Sequence, residues 1–383
     1  MKQALVAGNF WLYSHNFTST GAPLVLAAIA KELAANDWRH RLRLISWGGY
    51  YDRLNNQLQR ELQRSGLYCR VLGRRQLPTV PDPQDRILIN TLALPKEVLN
   101  QTLAWLEQGR IKRLDWYAHE ATPSLFLKGI EWPKRLQLLL QDDVLQMRVP
   151  SEHCLITYQN WLDYHGKSLA IQHPQIELIG PQGPLMEQPL PKFDRLKLQL
   201  TGMVGDGNKG HQWILSLIQK LLCEETQGLR PLELQFIGLD KNPHSLQDRE
   251  LRMRAKALLG INFSWAPRNS RNQILAAMGK SNIAISCSRQ ETFSIVSVEA
   301  MALGQPLLRN RSGGWQEQLI AGVNGFDLGE TGSEPNTNHV QLFQRLRDTS
   351  LISDAQLTNI AKSARSKAAT FAKSNYSDWL LNQ

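Results

Sequence analysis

The sequence predicts an α/β protein made of two parallel-sheet domains in tandem. Three observations carry this. The chain has 383 residues, enough for two domains of ordinary size. Strand-like and helix-like stretches alternate from Ala4 onward, the pattern of βαβ units. The alternation stops in a stretch rich in proline and glycine, Gly180–Asp194, and then restarts.

Taken in order, Ala4–Ala7 is a short apolar run that reads as the first strand. Phe10–Gly21, polar and aromatic, reads as a loop. Ala22–Ala35 has helical composition, and Arg41–Ile45 alternates like a strand. This first βαβ unit implies a parallel sheet. Strands follow at Arg86–Asn90 and Arg113–Tyr117, with a helix over Lys96–Gln108. Beyond the break, strands are expected at Lys197–Thr201, Leu232–Gly238, Ile261–Phe263 and Asn282–Ser286. Helices are expected at His211–Cys223, Ser245–Leu259 and Arg271–Met278. Glu330–Asn338 reads as an exposed loop and Asp354–Gln383 as mostly helical.

Composition narrows the class. With 42% apolar and 20% charged residues the chain is far from the disordered regime. The net charge of +10, from 44 Lys+Arg against 34 Asp+Glu, is spread over both halves and forms no basic tail. A nucleic-acid partner is therefore not expected, whereas anionic small molecules or an anionic membrane face suit such a field. The apolar run Ala22–Ala30 ends at Lys31, far short of the ~20 residues that span a bilayer. Ala4–Tyr13 lacks the features of a signal peptide. Cys69, Cys154, Cys223 and Cys287 form no C-x-x-C pair, so neither a zinc knuckle nor a disulfide framework is indicated, and a cytoplasmic setting is expected.

Two glycine loops stand out. Gly205, Gly207 and Gly210 form a literal G-x-G-x-x-G between a strand and a helix, so a dinucleotide-binding turn is one reading. The acid at the end of the next strand, Asp240, stands further on than the usual ribose ligand. The more general reading is a turn that feeds a helix N-terminus and carries Lys209, able to hold a phosphate. A tight turn with a solvated lysine is the bland alternative. The second loop, Gly313-Gly314, says only that backbone approaches something closely.

Residues 286–325 are the most informative. A strand ends near Ser286, a polar loop offers Glu291, and a helix is expected from Ser294 to Leu303. Thr292 or Ser294 can cap it, and Gly304 and Pro306 terminate it. An anion is favoured at the N-terminus of that helix. Glu299 on its early turns suits paired hydroxyls such as a ribose, and Glu291 suits hydroxyls of a second ring. Phosphates flanked by sugar on both sides describe a nucleotide-sugar.

The same segment reads Glu291-x-Phe293, then Glu299-Ala-Met-Ala-x-Gly304-x-Pro306, Gly313-Gly314-x-x-Glu317 and Asn324-Gly325. In this it resembles the retaining glycosyltransferases of family 4, within glycosyl transferases group 1. That resemblance implies the GT-B fold, two Rossmann-like domains facing a central cleft. The acceptor-binding domain would be 1–190, with a C-terminal helix of about 368–383 packing back on it, and the nucleotide-sugar-binding domain 191–367. The resemblance extends to Ser19-Thr20-Gly21 at the first helix, with Gly21 facing the donor phosphates, to His119 after a strand, to Ser151-Glu152, and to Lys209-Gly210-His211.

The implied roles follow. Lys209 and the backbone of Ser294, Ile295 and Val296 serve the diphosphate, within a donor loop that includes Thr292 and Phe293. Glu299 serves the ribose, Glu291 the donor sugar, and His119 the sugar near its reacting carbon. Trp265 and Arg268 lie by the base. His119, Glu291 and Lys209 form the catalytic set. The acceptor, a glycan, lipid-linked or other hydroxyl, is expected against loop aromatics, of which Trp11, Tyr13, Trp47, Tyr50 and Tyr51 are the candidates. Without the family, a satisfied buried histidine is the more ordinary reading of His119, and core packing of most aromatics. No Asp-x-Asp occurs in the chain, so no metal and no cofactor are expected beyond the nucleotide-sugar substrate.

One departure matters. Many members carry an arginine five residues before the lysine, and Met203 or Val204 stands there, so Lys209 alone must neutralise the diphosphate or Arg268, Arg271 or Arg289 substitutes. A GT-B nucleotide-sugar epimerase, a nicotinamide-dependent oxidoreductase and an inactive nucleotide-sugar scaffold are the alternatives. Peripheral contact with the inner face of an anionic membrane is a further expectation.

Overall fold

The structure is a computed structural model. It describes residues 8–18, 21–48, 57–204, 207–223, 230–238, 246–266, 270–329, 344, 347–349, 351–372 and 375–381. The chain divides into two compact units, one of residues 1–176 with 373–383 and one of residues 177–372.

Among the described residues the first unit holds a seven-stranded sheet. Its strands are β1 (Phe10–Ser14), β2 (Leu42–Ser46), β3 (Tyr68–Val71), β4 (Arg86–Ile89), β5 (Leu114–Tyr117), β6 (Leu145–Val149) and β7 (Leu169–Ile171). They lie in the order β3-β2-β1-β4-β5-β6-β7, all parallel. Connecting helices include α1 (Gly21–Leu33), α2 (Gln57–Arg64), α3 (Lys96–Glu107), α4 (Glu131–Gln141) and α5 (Glu152–Leu162). Helix α5 starts at Ser151, whose hydroxyl accepts from the Cys154 N–H.

The first strand is a correction. Ala4–Ala7 lies outside the described residues, and Phe10–Ser14, expected as loop, is the central strand. It is flanked by β2 and β4 and buried on both faces, so its sequence is a continuous run of large side chains rather than an alternation. Phe10, Leu12 and Tyr13 are fully buried.

The second unit repeats the strand order. Strands β8 (Leu196–Thr201), β9 (Leu232–Ile237), β10 (Phe263–Ala266), β11 (Ile283–Ser286), β12 (Leu307–Arg309) and β13 (Gly325–Asp327) lie as β10-β9-β8-β11-β12-β13, again parallel. Between and after them run α6 (His211–Cys223), α7 (Leu246–Leu259), α8 (Arg271–Met278), α9 (Ile295–Ala302), α10 (Trp315–Gln318) and α11 (Asp354–Ala369). Each sheet has its own apolar core, around Ile87, Ile89, Leu103, Trp116 and Met147 in the first unit. In the second it lies around Leu198, Leu200, Ile218, Phe236 and Ile285. Two doubly wound parallel sheets make the GT-B architecture.

The stretch Gly180–Asp194, expected as the linker, lies inside the second unit. It forms a small hairpin, Ile179–Gly180 with Gly183–Pro184, and buries Leu185 and Phe193, so its prolines and glycines shape packed turns. The final helix, α12 (Tyr376–Leu381), belongs to the first unit. Glu32 on α1 accepts from its Tyr376 and Ser377 N–H groups at 3.2 and 2.7 Å. The loop expected at Glu330–Asn338 lies outside the described residues. No helix among those residues is long and apolar enough to cross a membrane.

Candidate active site

In a doubly wound sheet the connections leave two neighbouring strands in opposite directions, which opens a crevice at their carboxyl ends. The two switch points here are β1/β4 and β8/β11. Lys209 and Glu291 lie at the second, and His119 lies beside the first.

In the second unit the chain leaves β8, turns, and enters α6 after Lys209-Gly210. Gly210 has φ +77°, and a Cβ there would lie 2.6 Å from the Cys287 carbonyl oxygen, so the turn is pressed against the loop that leaves β11. Asn208 laces the two together. Its backbone oxygen accepts from Arg289 N–H at 2.8 Å, its Oδ1 from Gln290 N–H at 2.9 Å, and its Nδ2 donates to the Gln290 carbonyl at 3.1 Å. Across this junction Lys209 Nζ lies 3.0 Å from Glu291 Oε2. Glu291 Oε1 accepts from the Thr292 N–H at 3.1 Å. Burial pushes the Glu291 carboxyl up, but the Lys209 charge and hydrogen bond, with Arg309 behind, outweigh it and hold the carboxyl below its ordinary range.

Helix α9 follows. Its N-cap residue, Ser294, is left-handed, at φ 64° and ψ 78°, and makes no side-chain cap bond. Its hydroxyl pairs instead with that of Ser297 at 2.8 Å. The capping role expected of Thr292 or Ser294 is thus unfilled: the Ser297 N–H bonds the Ser294 carbonyl at 3.1 Å, and the N–H groups of Ile295 and Val296 are left to another acceptor. Phe293 is buried on Phe371, with ring centroids 5.2 Å apart.

Two residues not singled out in the sequence hold this turn. Gln318 Nε2 donates to the Phe293 carbonyl and, at 3.3 Å, to the Ser294 carbonyl. Arg309, fully buried at the end of β12, donates to Gln318 Oε1 and, at 2.9 Å, to the Gly313 carbonyl. Burial lowers its pKa to about 10 against the pull of Glu291 and Glu317. Gly314, with φ +67°, lets the backbone pass where a Cβ would lie 2.7 Å from the Thr292 carbonyl oxygen. An arginine inside an otherwise apolar strand just before Gly313-Gly314 was the available signal.

Glu299 is 3% exposed and one of its oxygens is taken, since Arg271 Nε donates to Oε1 at 2.8 Å. Arg271 also holds the Glu177 carbonyl at 2.5 Å. It therefore does not stand in for the missing arginine near Lys209. Val204 is fully buried and Met203 is exposed, while Arg268 lies outside the described residues. Arg289 is exposed, beside Asn208. The Trp265 indole donates to the Gly238 carbonyl at 3.1 Å and carries the Arg252 guanidinium 4.6 Å above its ring.

In the first unit, three residues that follow strands meet at the β1/β4 switch point and its neighbour: His15 directly after β1, Asn90 directly after β4 and His119 two residues past β5. His119 Nε2 lies 3.0 Å from Asn90 Oδ1, and Asn90 Nδ2 donates to the Ala22 carbonyl at 2.7 Å, beside Gly21 at the start of α1. Burial, with His15 nearby, lowers the His119 pKa to about 3. Glu120 is satisfied by Thr91 Oγ1 and by the Leu92 N–H at 2.9 Å. Burial still raises its carboxyl pKa.

The aromatic candidates are redistributed. Tyr13 is in the core, its ring 5.1 Å from that of Trp47, also buried. Trp11 lines a cavity of about 370 Å³ with Arg43, Tyr68 and Arg70, and its indole donates to Asp85 at 2.8 Å. Tyr50 and Tyr51 lie outside the described residues.

Residues 201–341 match the family model of glycosyl transferases group 1. The matched residues lie within the second unit and make up a little over a third of the chain. No curated protein matches the sequence. Among solved structures, HepE of Anabaena in complex with UDP and glucose is similar at TM-score 0.69 and 16% identity, covering 98% of this chain and 100% of that one. Sucrose-phosphate synthase of Thermosynechococcus elongatus is similar at 0.66 and 14%, covering 98% and 97%. WaaG, a glycosyltransferase involved in lipopolysaccharide biosynthesis, is similar at 0.61 and 16%, covering 96% of each chain. At these identities the structural likeness is one of fold, and the group 1 segment holds the Lys209–Glu291 pair, α9 and the Arg309 brace.

Proposed function

We propose that this protein is a retaining glycosyltransferase of family 4, moving a sugar from a nucleotide-diphosphate-sugar to a hydroxyl of a glycan, lipid-linked or other acceptor. The observation that carries this is the pairing of Lys209 with Glu291 at the carboxyl ends of β8 and β11, next to the uncapped start of α9. Lys209 and the N–H groups of Ser294–Val296 neutralise the diphosphate without a metal. An ammonium has three donors, so Lys209 can hold Glu291 and an anion together. Glu291 receives a hydroxyl of the donor sugar, and Glu299 offers ribose the oxygen not engaged by Arg271. Trp265 flanks the base, and His119 contacts the transferred sugar.

In the reaction the acceptor oxygen bonds to the sugar's anomeric carbon, the bond from that carbon to the leaving phosphate breaks, and the phosphate takes the acceptor's proton. No side-chain base is assigned. The first unit is assigned the acceptor, with Trp11 as the expected aromatic that lines a cavity, beside Tyr68. The +10 charge is assigned to a cytoplasmic face of an anionic membrane, which co-sedimentation with anionic and neutral vesicles at low salt tests.

UDP and UDP-glucose are bound in HepE, so the donor test starts there. Thermal shifts and donor hydrolysis are measured with UDP-, GDP- and ADP-sugars. Stabilisation by at least one nucleotide sugar is expected, and no response to any of them sinks the reading.

A further inference from the structure

The ring of His119 can exist in two neutral forms, and the structure selects one. Asn90 is fully buried, and its side-chain amide lies between two groups of unequal character. One is the Ala22 carbonyl, 2.7 Å from Nδ2. A carbonyl can only accept, so the amide nitrogen must face it. Flipping the amide would set two acceptors against each other inside the protein, at the cost of a lost hydrogen bond and a buried unsatisfied group. The orientation of Asn90 is therefore fixed by the backbone of α1, and Oδ1 is the atom presented to His119 Nε2 at 3.0 Å. Oδ1 has no proton to give, so Nε2 must carry one. A neutral imidazole holds a single N–H, which leaves Nδ1 as a bare acceptor.

The surroundings keep the ring in that state and place. The Tyr117 ring stacks on it at 4.1 Å, tilted by 36°. His15, which follows β1, is the nearby basic group and disfavours a charged His119. Glu120, the next residue, turns its carboxylate to Thr91 and Leu92. Nδ1 of His119 has no hydrogen-bond partner among the described residues.

We propose that Asn90 is a positioning residue that holds His119 as the Nε2–H tautomer, so that Nδ1 accepts a hydrogen bond from a hydroxyl of the transferred sugar. The substrate half of this rests on the glycosyltransferase reading; the tautomer half does not. A sugar hydroxyl is the class of group the arrangement takes, because it is a donor without charge. A phosphate or carboxylate oxygen would face a lone pair.

The test separates the two halves. Nitrogen-15 NMR of the ligand-free protein, with His119→Gln for assignment, reads the tautomer. A protonated-type signal at Nε2 and an unprotonated-type signal at Nδ1 are expected, and the reverse pattern or a doubly protonated ring at neutral pH overturns the proposal. Asn90→Asp supplies a carboxylate that favours a doubly protonated ring, and Asn90→Ala removes the tether, so both should abolish the wild-type pattern. The Asp variant also sets a carboxylate oxygen against the Ala22 carbonyl, so if neither variant folds the wild-type spectrum decides the tautomer by itself.

Addition of UDP-glucose, GDP-mannose or ADP-glucose, whichever stabilises the protein, should then move the Nδ1 signal, and an unmoved signal on a saturating donor overturns the substrate half. In turnover, Asn90→Asp should raise KM for the donor about tenfold, with little further loss when combined with His119→Gln. Additive losses would show that Asn90 acts elsewhere. If no nucleotide-sugar binds or turns over in the wild type, the glycosyltransferase reading falls, while the tautomer is still decided by the ligand-free spectrum.

Discussion

Arg271 donates from Nε to Glu299 Oε1 across 2.8 Å, joining the first turn of α8 to the first turns of α9. Glu299 is 3% exposed, so its carboxylate has little contact with water and Arg271 is the charged group bonded to it. Arg271→Met should cost about 3 kcal/mol, because it leaves a buried carboxylate uncompensated. Adding Glu299→Gln should recover part of that loss. Urea unfolding of the two single variants and the double variant gives the coupling, and strict additivity would show that the pair contributes nothing.

Lys209→Ala should weaken binding of a nucleoside diphosphate about 10- to 100-fold, the range for a charge-assisted hydrogen bond removed from a buried site. Glu291→Gln should leave that affinity nearly intact and lower turnover instead, since its carboxylate is assigned to the sugar. Calorimetric titration with UDP, GDP and ADP alongside turnover distinguishes the two. An equal loss of affinity in both variants contradicts the division of labour.

The Ser294 turn should depend on its brace. Gln318→Ala removes the donor to the Phe293 and Ser294 carbonyls and strips Arg309 of one partner, so about 1–3 kcal/mol of stability should go. The nucleotide-induced thermal shift should shrink with it, because the N–H groups of α9 are then less well aimed. A destabilised protein with an undiminished nucleotide response would separate the brace from the anion site.

Acid should unfold the protein through its histidines. His119 and His211 both have pKa values lowered to about 3 by burial, with His15 and Lys209 as the respective neighbouring charges. The unfolded chain takes up these protons near pH 6.5. Stability is therefore complete above that pH and is lost as pH falls from about 6.5 towards 3. Each histidine adds a slope of up to about 1.4 kcal/mol per pH unit. His211→Phe should flatten the decline of melting temperature between pH 6.5 and 4.5 by one proton's worth. An unchanged slope would falsify this assignment.

Much of the second unit was legible in the sequence. The helices His211–Cys223 and Arg271–Met278 stand at the bounds expected for them, and Gly304 takes the left-handed position, φ +77°, expected after α9. These segments obey local rules. Phe10–Ser14 was not legible as a strand, because a central strand buried on both faces loses the alternation that marks a half-buried one. Tyr13 was misplaced for the same reason.

The site shows the same division. Lys209 and Glu291 lie 82 residues apart, and only their separate motifs pointed to one place. Asn90, Arg309 and Gln318 belong to no motif. Their importance comes from register, since each stands at or after a strand end or on a short helix where a backbone carbonyl must be met. A sequence pattern does not record which carbonyl that is.

The tail of the chain has a consequence for how the protein is made. Tyr376 both donates to and accepts from the Gln175 backbone, at 3.1 and 2.7 Å, and Glu32 binds the N–H groups of Tyr376 and Ser377. The ribosome delivers Tyr376 only after the whole of residues 177–372. The unit synthesised first is thus the last to be completed, and until then α1 and the Gln175 segment wait with open polar groups. Emerging chains should therefore show residues 177–372 protected from protease before residues 8–176 reach full protection.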